Sequence, residues 1–180
     1  MIILDIDQDY FFLPVLSGKL LRDREERNKF FFPAQTNIET VFKTFRLDPS
    51  IPFEIFDDHD SVYHSIAKMK SEKHILIHLD AHDDVCHKQA LGPLDIGNWI
   101  THLVMEELID PNIFWINQRS IKCHVERYVV MGKPYVLNTS RLEEFSFNSK
   151  VDKIFYTRSK EFCPDNNVEQ RFCNLMKNRG

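Results

Sequence analysis

The sequence predicts an α/β protein built on a mostly parallel β-sheet. Short apolar runs of strand length alternate along the chain with amphipathic segments, which is the pattern of parallel strands joined by helices. Several of these apolar runs end in acidic residues or histidine. Because ligands bind beyond the carboxyl ends of the strands in such sheets, those polar residues are the first candidates for a functional site.

Composition indicates a single domain over residues 1–180. Of the 180 residues, 43% are hydrophobic and 15 are phenylalanine, which is enough for one core. A formal net charge of −4 gives no general attraction to nucleic acid or to an anionic membrane, and no apolar run reaches transmembrane length. With five glycines and no glycine-rich loop, the sequence disfavours a nucleotide-binding function.

The start of the chain and the cysteines predict the compartment. No basic segment precedes the first apolar run, so we expect no signal peptide. The four cysteines lack CxxC spacing, which favours reduced thiols in a cytoplasmic protein.

The first half of the chain predicts two strands and two helices. Residues 2–7 form an apolar strand, whereas residues 18–33 are charged and then aromatic, which predicts a lid or an insertion. Apolar residues at helical spacing, after a threonine or asparagine that can cap them, predict a helix over 36–45. Residues 53–56 form a strand that ends in acidic residues, and a helix follows over 61–70.

The second half continues the alternation of strands and helices. A buried strand is predicted over 74–79 and a helix over 98–108. The remaining predicted elements are strands at 113–116, 135–137 and 154–156 and a helix at 168–177.

Two groups of polar residues at strand ends predict a cation site. Asp80, His82 and Asp84 alternate after an apolar run, so in an extended segment their side chains share one face. Carboxylates and imidazole suit Mn²⁺, Zn²⁺ or Fe²⁺ better than a metal that prefers thiolates. The other group is the acidic face of the first strand, formed by Asp5, Asp7 and Asp9. Unpaired buried carboxylates are costly, so two such strands indicate a shared cation.

These residues resemble the motifs of the arginase/deacetylase superfamily. Residues 79–84 (Leu-Asp-Ala-His-Asp-Asp) resemble its DAHxD motif, and residues 4–7 (Leu-Asp-Ile-Asp) resemble its DxD strand motif. Residues 58–60 resemble the loop that supplies a further metal-binding histidine. The segments 4–10 and 158–164 resemble the small atypical peptide arginases of ribosomal-peptide biosynthesis, which convert arginine side chains to ornithine.

The resemblance implies a three-layer α/β/α fold with an arginase-like sheet in a rearranged strand order. The order must differ because the DxD motif comes first here, whereas it follows the DAHxD motif in ordinary arginases. The chain is also shorter than an ordinary arginase. It has no histidine at the place of the usual proton-shuttle motif, which corresponds to Gly97, Asn98 and Trp99.

The resemblance further implies a manganese-dependent ureohydrolase with two Mn²⁺ ions. Asp5 and Asp80 would bridge the ions, and a hydroxide shared by both ions would attack the guanidinium carbon of a peptidyl arginine. Asp84 would relay the proton, and the products would be urea and an ornithine side chain in a precursor peptide. The implied metal ligands are Asp5, Asp7, His59, Asp80, His82 and Asp84.

A guanidinium substrate also requires an acidic anchor, because carboxylates pair with guanidinium groups in a favourable geometry. The candidates are Asp9, Glu161 and Asp165, of which Glu161 is favoured because it lies in the segment 158–164. Asn98 is either a substrate-binding residue or only the cap of the helix that begins at Trp99.

Three other functions remain open from the sequence. One is a metal-dependent deacetylase of acyl-lysine or acyl-polyamine substrates, which needs only one zinc ion. Another is a haloacid-dehalogenase-like phosphatase, since Asp5 and Asp7 resemble its nucleophile and acid. A third is a metal-stabilised module that binds a peptide without catalysis. Among the other histidines, His78 alternates with Asp80 and is expected beneath the site.

Overall fold

Nine strands and four α-helices form the part of the chain that the computed structural model describes, namely residues 1–14, 31–33, 36–69, 73–118, 123–159 and 167–177. The strands are β1 (Ile2–Asp7), β2 (Phe12–Pro14), β3 (Phe31–Pro33), β4 (Phe53–Phe56), β5 (Ile75–Leu79), β6 (Asn112–Ile116), β7 (His124–Val130), β8 (Lys133–Ser140) and β9 (Lys153–Thr157). The helices are α1 (Ile38–Phe45), α2 (His59–Lys68), α3 (Trp99–Met105) and α4 (Val168–Lys177), and a single 3₁₀ turn (Gln8–Phe11) follows β1.

Seven strands form the main sheet, in the order β4-β9-β1-β5-β6-β8-β7. Every neighbouring pair is parallel except β7 and β8, which are antiparallel at one edge. The prediction of an α/β protein with a mostly parallel sheet is therefore confirmed. β1 pairs with β5 on one side and β9 on the other, and later strands extend the sheet in both directions from it. Such a divergence leaves a crevice at the carboxyl ends of the strands, where α/β proteins bind ligands.

Helices cover both faces of this sheet because side chains alternate along β1. Leu4 and Ile6 belong to a buried cluster that includes the apolar residues of α1 and α4. Ile3 belongs to a different cluster, which includes those of α2 and α3. Asp5 shares the Ile3 face by the same alternation, so the acidic face of β1 lies beneath α2 and α3.

The helix predictions are confirmed with shifts at their ends. α1 begins after Asn37, whose side chain accepts a hydrogen bond from the Thr40 amide, and α4 has the predicted bounds. α2 begins at His59 rather than Ser61, because the Asp58 side chain caps it by accepting a hydrogen bond from the Ser61 amide. Every helix among the described residues is too short or too polar to cross a membrane.

The strand predictions miss one edge of the sheet. β2 and β7 were not predicted, and the predicted strand 135–137 is the middle of the longer β8. β2 and β3 pair antiparallel in a separate two-stranded sheet, so the C-terminal end of the predicted lid, 18–33, is a strand. Residues 15–30, which contain most of that segment, lie outside the described residues.

Candidate metal centre

Six acidic and histidine side chains meet at the carboxyl ends of β1 and β5, against the first turn of α2. Each is less than a tenth exposed to solvent, which is rare for ionisable groups unless they are paired or bind metal. These residues are Asp5, Asp7, His59, His78, Asp80 and Asp84.

Asp5 and His78 form the floor of this cluster. They are direct neighbours in the parallel register of β1 and β5, and both are fully buried. The Nδ1 atom of His78 lies 2.7 Å from Oδ2 of Asp5. Its Nε2 atom lies 3.2 Å from Oδ2 of Asp80 and 3.7 Å from Oδ2 of Asp84. One imidazole therefore faces three carboxylates.

His59 closes the cluster from above, because it is the first residue of α2. Its Nε2 atom lies 3.4 Å from Oδ2 of Asp5 and 3.6 Å from Oδ2 of Asp7, and its Nδ1 atom lies 3.2 Å from Oδ2 of Asp84. The Trp99 ring stacks on the His59 ring with centroids 5.1 Å apart. The indole Nε1 of Trp99 also donates a hydrogen bond of 2.8 Å to Oδ2 of Asp84. Trp99 thus restrains two members of the cluster at once.

Asp7 and Asp9 connect β1 to the neighbouring loops. Asp7 accepts hydrogen bonds from the Asp9 amide and from the Ser159 hydroxyl, which follows β9. Asp9 accepts a hydrogen bond of 3.1 Å from the Ala81 amide, and its Oδ2 lies 3.0 Å from Nδ1 of His82. Asp9 therefore fixes the loop after β5 to the end of β1.

His82 lies at the mouth of the site rather than inside it. Its side chain is 55% exposed, and its Nδ1 atom lies 3.5 Å from Oδ1 of Asp80. Its backbone amide donates a hydrogen bond of 2.7 Å to the same oxygen. Asp84 has a φ of 50° in this loop, a left-handed conformation that aspartate tolerates better than most residues. The turn directs Asp84 back toward the cluster.

Burial and mutual contacts displace the pKa values of the cluster in opposite directions. Burial, together with the charges of Asp9 and Asp80, raises the pKa of Asp7 well above its usual value. Burial alone would lower the pKa of His59, but the neighbouring carboxylates, with Asp84 foremost, raise it to about 10. Burial would raise the pKa of Asp80, but its contacts with histidines outweigh burial and hold that pKa well below its usual value. Protons on the histidines thus balance part of the carboxylate charge.

A cavity of about 740 Å³ opens onto the cluster. Among the residues that the structure describes, neither lysine nor arginine lines it. Five carboxylates outside the cluster do, which gives the cavity an excess of negative charge suited to a cationic ligand. These are Asp9, Asp57, Asp58, Asp60 and Asp83.

The donor atoms of the cluster fit a metal ion. Four overlapping groups of three residues place their ligand atoms within 4.8 Å of one another, and Asp80 belongs to three of these groups. Oδ1 of Asp5, Nε2 of His59 and Nε2 of His78 are buried without a hydrogen-bond partner. Buried polar atoms of this kind are rare unless an ion or water is bound. The oxygen and imidazole donors suit Mn²⁺, Zn²⁺ or Fe²⁺.

The structure brings together five of the six predicted metal ligands inside the cluster and places the sixth, His82, at its rim. Asn98 does not line the cavity. Its side chain accepts a hydrogen bond from the Asp95 amide and donates one to the Pro93 carbonyl, and it makes no capping bond to α3. Glu161 and Asp165, two candidate anchors for a guanidinium group, lie outside the described residues.

Sequence reasoning missed the full contribution of three residues. His78 was expected beneath the site but not as a member of the cluster, although its alternation with Asp80 is the signal for shared orientation. Trp99 lies in the helix predicted over 98–108, and no pattern in the sequence indicates its bond to Asp84. Ser159 was not singled out, because only the pairing of β9 with β1 brings it to Asp7.

Comparisons with known proteins give no family: no protein-family model matches the chain, and neither a curated protein nor a solved structure matches it.

Proposed function

We propose that this protein is a binuclear manganese hydrolase, similar to the peptide arginases, that converts arginine residues of a precursor peptide to ornithine and releases urea. The observation that carries the proposal is the overlap of donor groups at Asp80, which belongs to three of the four groups. A carboxylate shared in this way suits a bridge between two cations. The resemblance of residues 4–7 and 79–84 to the DxD and DAHxD motifs supplies the reaction class.

Five buried residues of the cluster, together with His82 at its rim, would hold the two ions. Four carboxylates offset the charge of two divalent cations, and imidazoles complete the coordination. When bound, such cations supply Lewis-acid activation of water. The proposed ligands are Asp5, Asp7, His59, Asp80, His82 and Asp84.

The chain's own residues would position the substrate and move the proton. Water adds to the guanidinium carbon, the bond from that carbon to the side-chain Nε breaks, and urea leaves from the ornithine amine. Asp84, held by the Trp99 indole, takes the proton from the attacking water and delivers it to the departing amine. Asp84 lines the cavity, so its carboxylate faces the space in which water and the substrate would meet.

The acidic cavity supports a cationic substrate. A guanidinium group entering it would meet carboxylates on several sides, and no lysine or arginine among the described residues lines the cavity. Asp9 lines the cavity but is engaged by Ala81 and His82, so it contributes charge rather than a free anchor. Asp60 also lines the cavity, and its Oδ1 is buried without a hydrogen-bond partner. Asp60 therefore joins Glu161 as a candidate anchor.

The proposal is tested by mass spectrometry of an arginine-containing peptide incubated with Mn²⁺-loaded protein in water labelled with oxygen-18. We expect each modified arginine to lose CH₂N₂ and the label to appear in urea and not in the peptide. A peptide with lysine in place of arginine and the Asp80→Asn variant are the controls, and both should be inert. Loss of an acetyl group from an acetyl-lysine peptide, with the label in acetate, would instead establish the deacetylase function. Inertness toward both peptides would contradict hydrolysis of either class.

A further inference from the structure

We propose that His78 is itself a metal ligand through Nε2, with Asp5 as the carboxylate that orients its ring. The inference rests on the proposed function only in requiring a metal centre; it does not require that arginine be the substrate. It adds a fully buried histidine to the six proposed ligands, and it gives Asp5 a second task.

The position of His78 allows no contact with solvent. The residue lies at the centre of β5, in register with Asp5 on β1, and both side chains have an exposure of 0%. The ring stands among the rings of His59 and Trp99, with centroids 5.6 Å and 5.7 Å away. A histidine enclosed in this way must satisfy both of its nitrogens inside the protein.

The contact with Asp5 satisfies the Nδ1 atom of His78, whereas the Nε2 atom faces two other carboxylates. At 2.7 Å, the Nδ1–H group of His78 donates a hydrogen bond to Oδ2 of Asp5. Nε2 makes no hydrogen bond, although Oδ2 of Asp80 lies 3.2 Å away and Oδ2 of Asp84 lies 3.7 Å away. An imidazole lone pair and two carboxylate oxygens that face one another repel unless a positive charge lies between them.

The two distances from Nε2, 3.2 Å and 3.7 Å, are close to the spacing of donors in one coordination shell. Donors bound at roughly 2.0–2.2 Å to one ion, at angles between octahedral and tetrahedral, lie roughly 2.8–3.6 Å apart. The Nε2 atom of His78 and the Oδ2 atoms of Asp80 and Asp84 form one of the donor groups that fit an ion. Metal-bound histidines nearly always donate their other N–H group to a carboxylate or carbonyl, as His78 does to Asp5. Oδ1 of Asp5 has no partner and stays free to bind an ion as well.

The competing structure is a permanently protonated His78 that bridges the carboxylates as a cation. In that structure no metal–nitrogen bond to His78 exists, and its replacement leaves the nitrogen ligands of the bound metal unchanged. The two structures therefore differ in the number of histidine nitrogens that couple to the metal. Metal affinity alone does not separate them as sharply, because both lose affinity when the cluster is disturbed.

The test compares the wild-type protein with His78→Gln and His74→Gln after loading with Mn²⁺. His74 is a matched control because it is also a buried histidine, with an exposure of 1%, but it precedes β5 at the opposite end of the strand. We expect pulsed electron paramagnetic resonance to show one fewer histidine-nitrogen coupling in His78→Gln and no change in His74→Gln. We also expect Mn²⁺ affinity to fall by ~100-fold in His78→Gln, at the upper end of the range for orienting residues. Unchanged nitrogen couplings in folded His78→Gln would overturn the proposal.

A second measurement decides the question if His78→Gln does not fold. In the double variant His82→Gln/His87→Gln, His59 and His78 are the only histidines of the described residues that remain in the cluster or line the cavity. Nuclear magnetic resonance of this variant, with isotopically labelled histidine and an NMR-active cadmium isotope, counts the histidine nitrogens coupled to the metal. A metal coupling assigned to His78 supports the proposal, and a metal-loaded protein without that coupling overturns it.

The same experiments separate this inference from the proposed function. A wild-type protein that shows the His78 coupling but leaves arginine peptides unchanged retains the ligand and loses the arginase function. A wild-type protein that converts arginine peptides but shows no coupling to His78 retains the arginase function and loses the ligand. A wild-type protein that binds none of Mn²⁺, Co²⁺, Zn²⁺ or Cd²⁺ overturns both.

Discussion

Trp99 shows how one apolar residue can organise a polar site. Its indole donates a hydrogen bond to Asp84, and its ring lies nearly parallel to that of His59, with an interplanar angle of 9°. A hydrogen bond to a charged acceptor is stronger than one between neutral groups, and stacking limits rotation of the imidazole. Trp99 therefore fixes the orientation of two proposed ligands without binding metal itself.

We predict that Trp99→Phe weakens Mn²⁺ binding by about 10- to 100-fold, because the hydrogen bond to Asp84 is lost while most of the ring packing remains. The measurement is a competition titration of Mn²⁺ against a chelator. Trp115→Phe is the matched control, since its Nε1 donates to the backbone carbonyl of Asp80 rather than to a ligand atom. Equal loss of affinity in both variants would refute the special role of Trp99.

The histidines also predict how metal binding depends on pH. Hydrogen bonds to Asp80 and Asp9 raise the pKa of His82 to about 11, and that of His59 is raised to about 10 by neighbouring carboxylates against the effect of burial. Both imidazoles are therefore protonated near neutral pH in the metal-free protein, yet they must be neutral to bind a cation. We predict that Mn²⁺ binding releases protons and that affinity rises with pH from about 6 to 9, below both raised pKa values. Isothermal titration calorimetry in buffers of different ionisation enthalpy measures this release, and binding enthalpies that do not depend on the buffer would contradict it.

At the scale of elements, the start of α2 couples a helix cap to the site. Asp58 accepts a hydrogen bond from the Ser61 amide, and the next residue, His59, enters the cluster. We predict that Asp58→Ala lowers the free energy of unfolding by about 1 kcal/mol, because the cap is lost. Metal affinity should fall as well, since the first turn of α2 positions His59. Urea unfolding and the Mn²⁺ titration measure the two effects.

Asp58→Asn separates the cap from the charge in this experiment. Asparagine caps helices about as well as aspartate, so this variant removes one carboxylate of the cavity and keeps the first turn. We expect near wild-type stability and metal affinity. If Asp58→Asn were as damaging as Asp58→Ala, the effect would come from charge, and the link between cap and site would be wrong.

The elements that the sequence predicted are those with a buried apolar pattern. β1 and α4 have the predicted bounds, because their apolar residues follow the strand and helix periods clearly. β7 was missed because it is the edge strand: it exposes Val125 and Val129, and only Val130 at its end is fully buried, so no apolar alternation marks it. The helix predicted over 98–108 ends earlier, at Met105, where the chain turns toward β6.

The sequence predicts those site residues that lie close together in the chain at the end of a strand. It does not predict contacts between residues that are far apart in the chain. Asp80 and Asp84 belong to a local motif, so their proximity is encoded within a few residues. Ser159 reaches Asp7 across a separation of 152 residues, which no local pattern contains. The role of His78 depends on the register between β1 and β5, which sequence periodicity alone does not fix.

At the scale of the molecule, the site connects β1, β5 and α2, so a bound ion should stabilise the whole fold. An ion that binds only the folded protein adds about 2.7 kcal/mol at a free concentration of 100 times its Kd. For a protein of this size each kcal/mol raises Tm by about 2–4 °C, so we predict a rise of roughly 5–10 °C. Calorimetry with Mn²⁺ and with excess chelator measures it. Asp80→Asn is the control, and a rise of the same size in that variant would place the binding elsewhere.

The central position of β1 has a consequence for synthesis on the ribosome. Its hydrogen-bonded neighbours arrive late: Asp5 meets His78 after 73 further residues, and Asp7 meets Ser159 after 152. A nascent chain therefore carries β1 with an unpaired edge until β9 has emerged from the exit tunnel. Contacts of such long sequence separation form slowly, and an exposed strand edge attracts other chains in the meantime. The acidic residues of β1 add like charge to that edge, which opposes premature association between nascent copies.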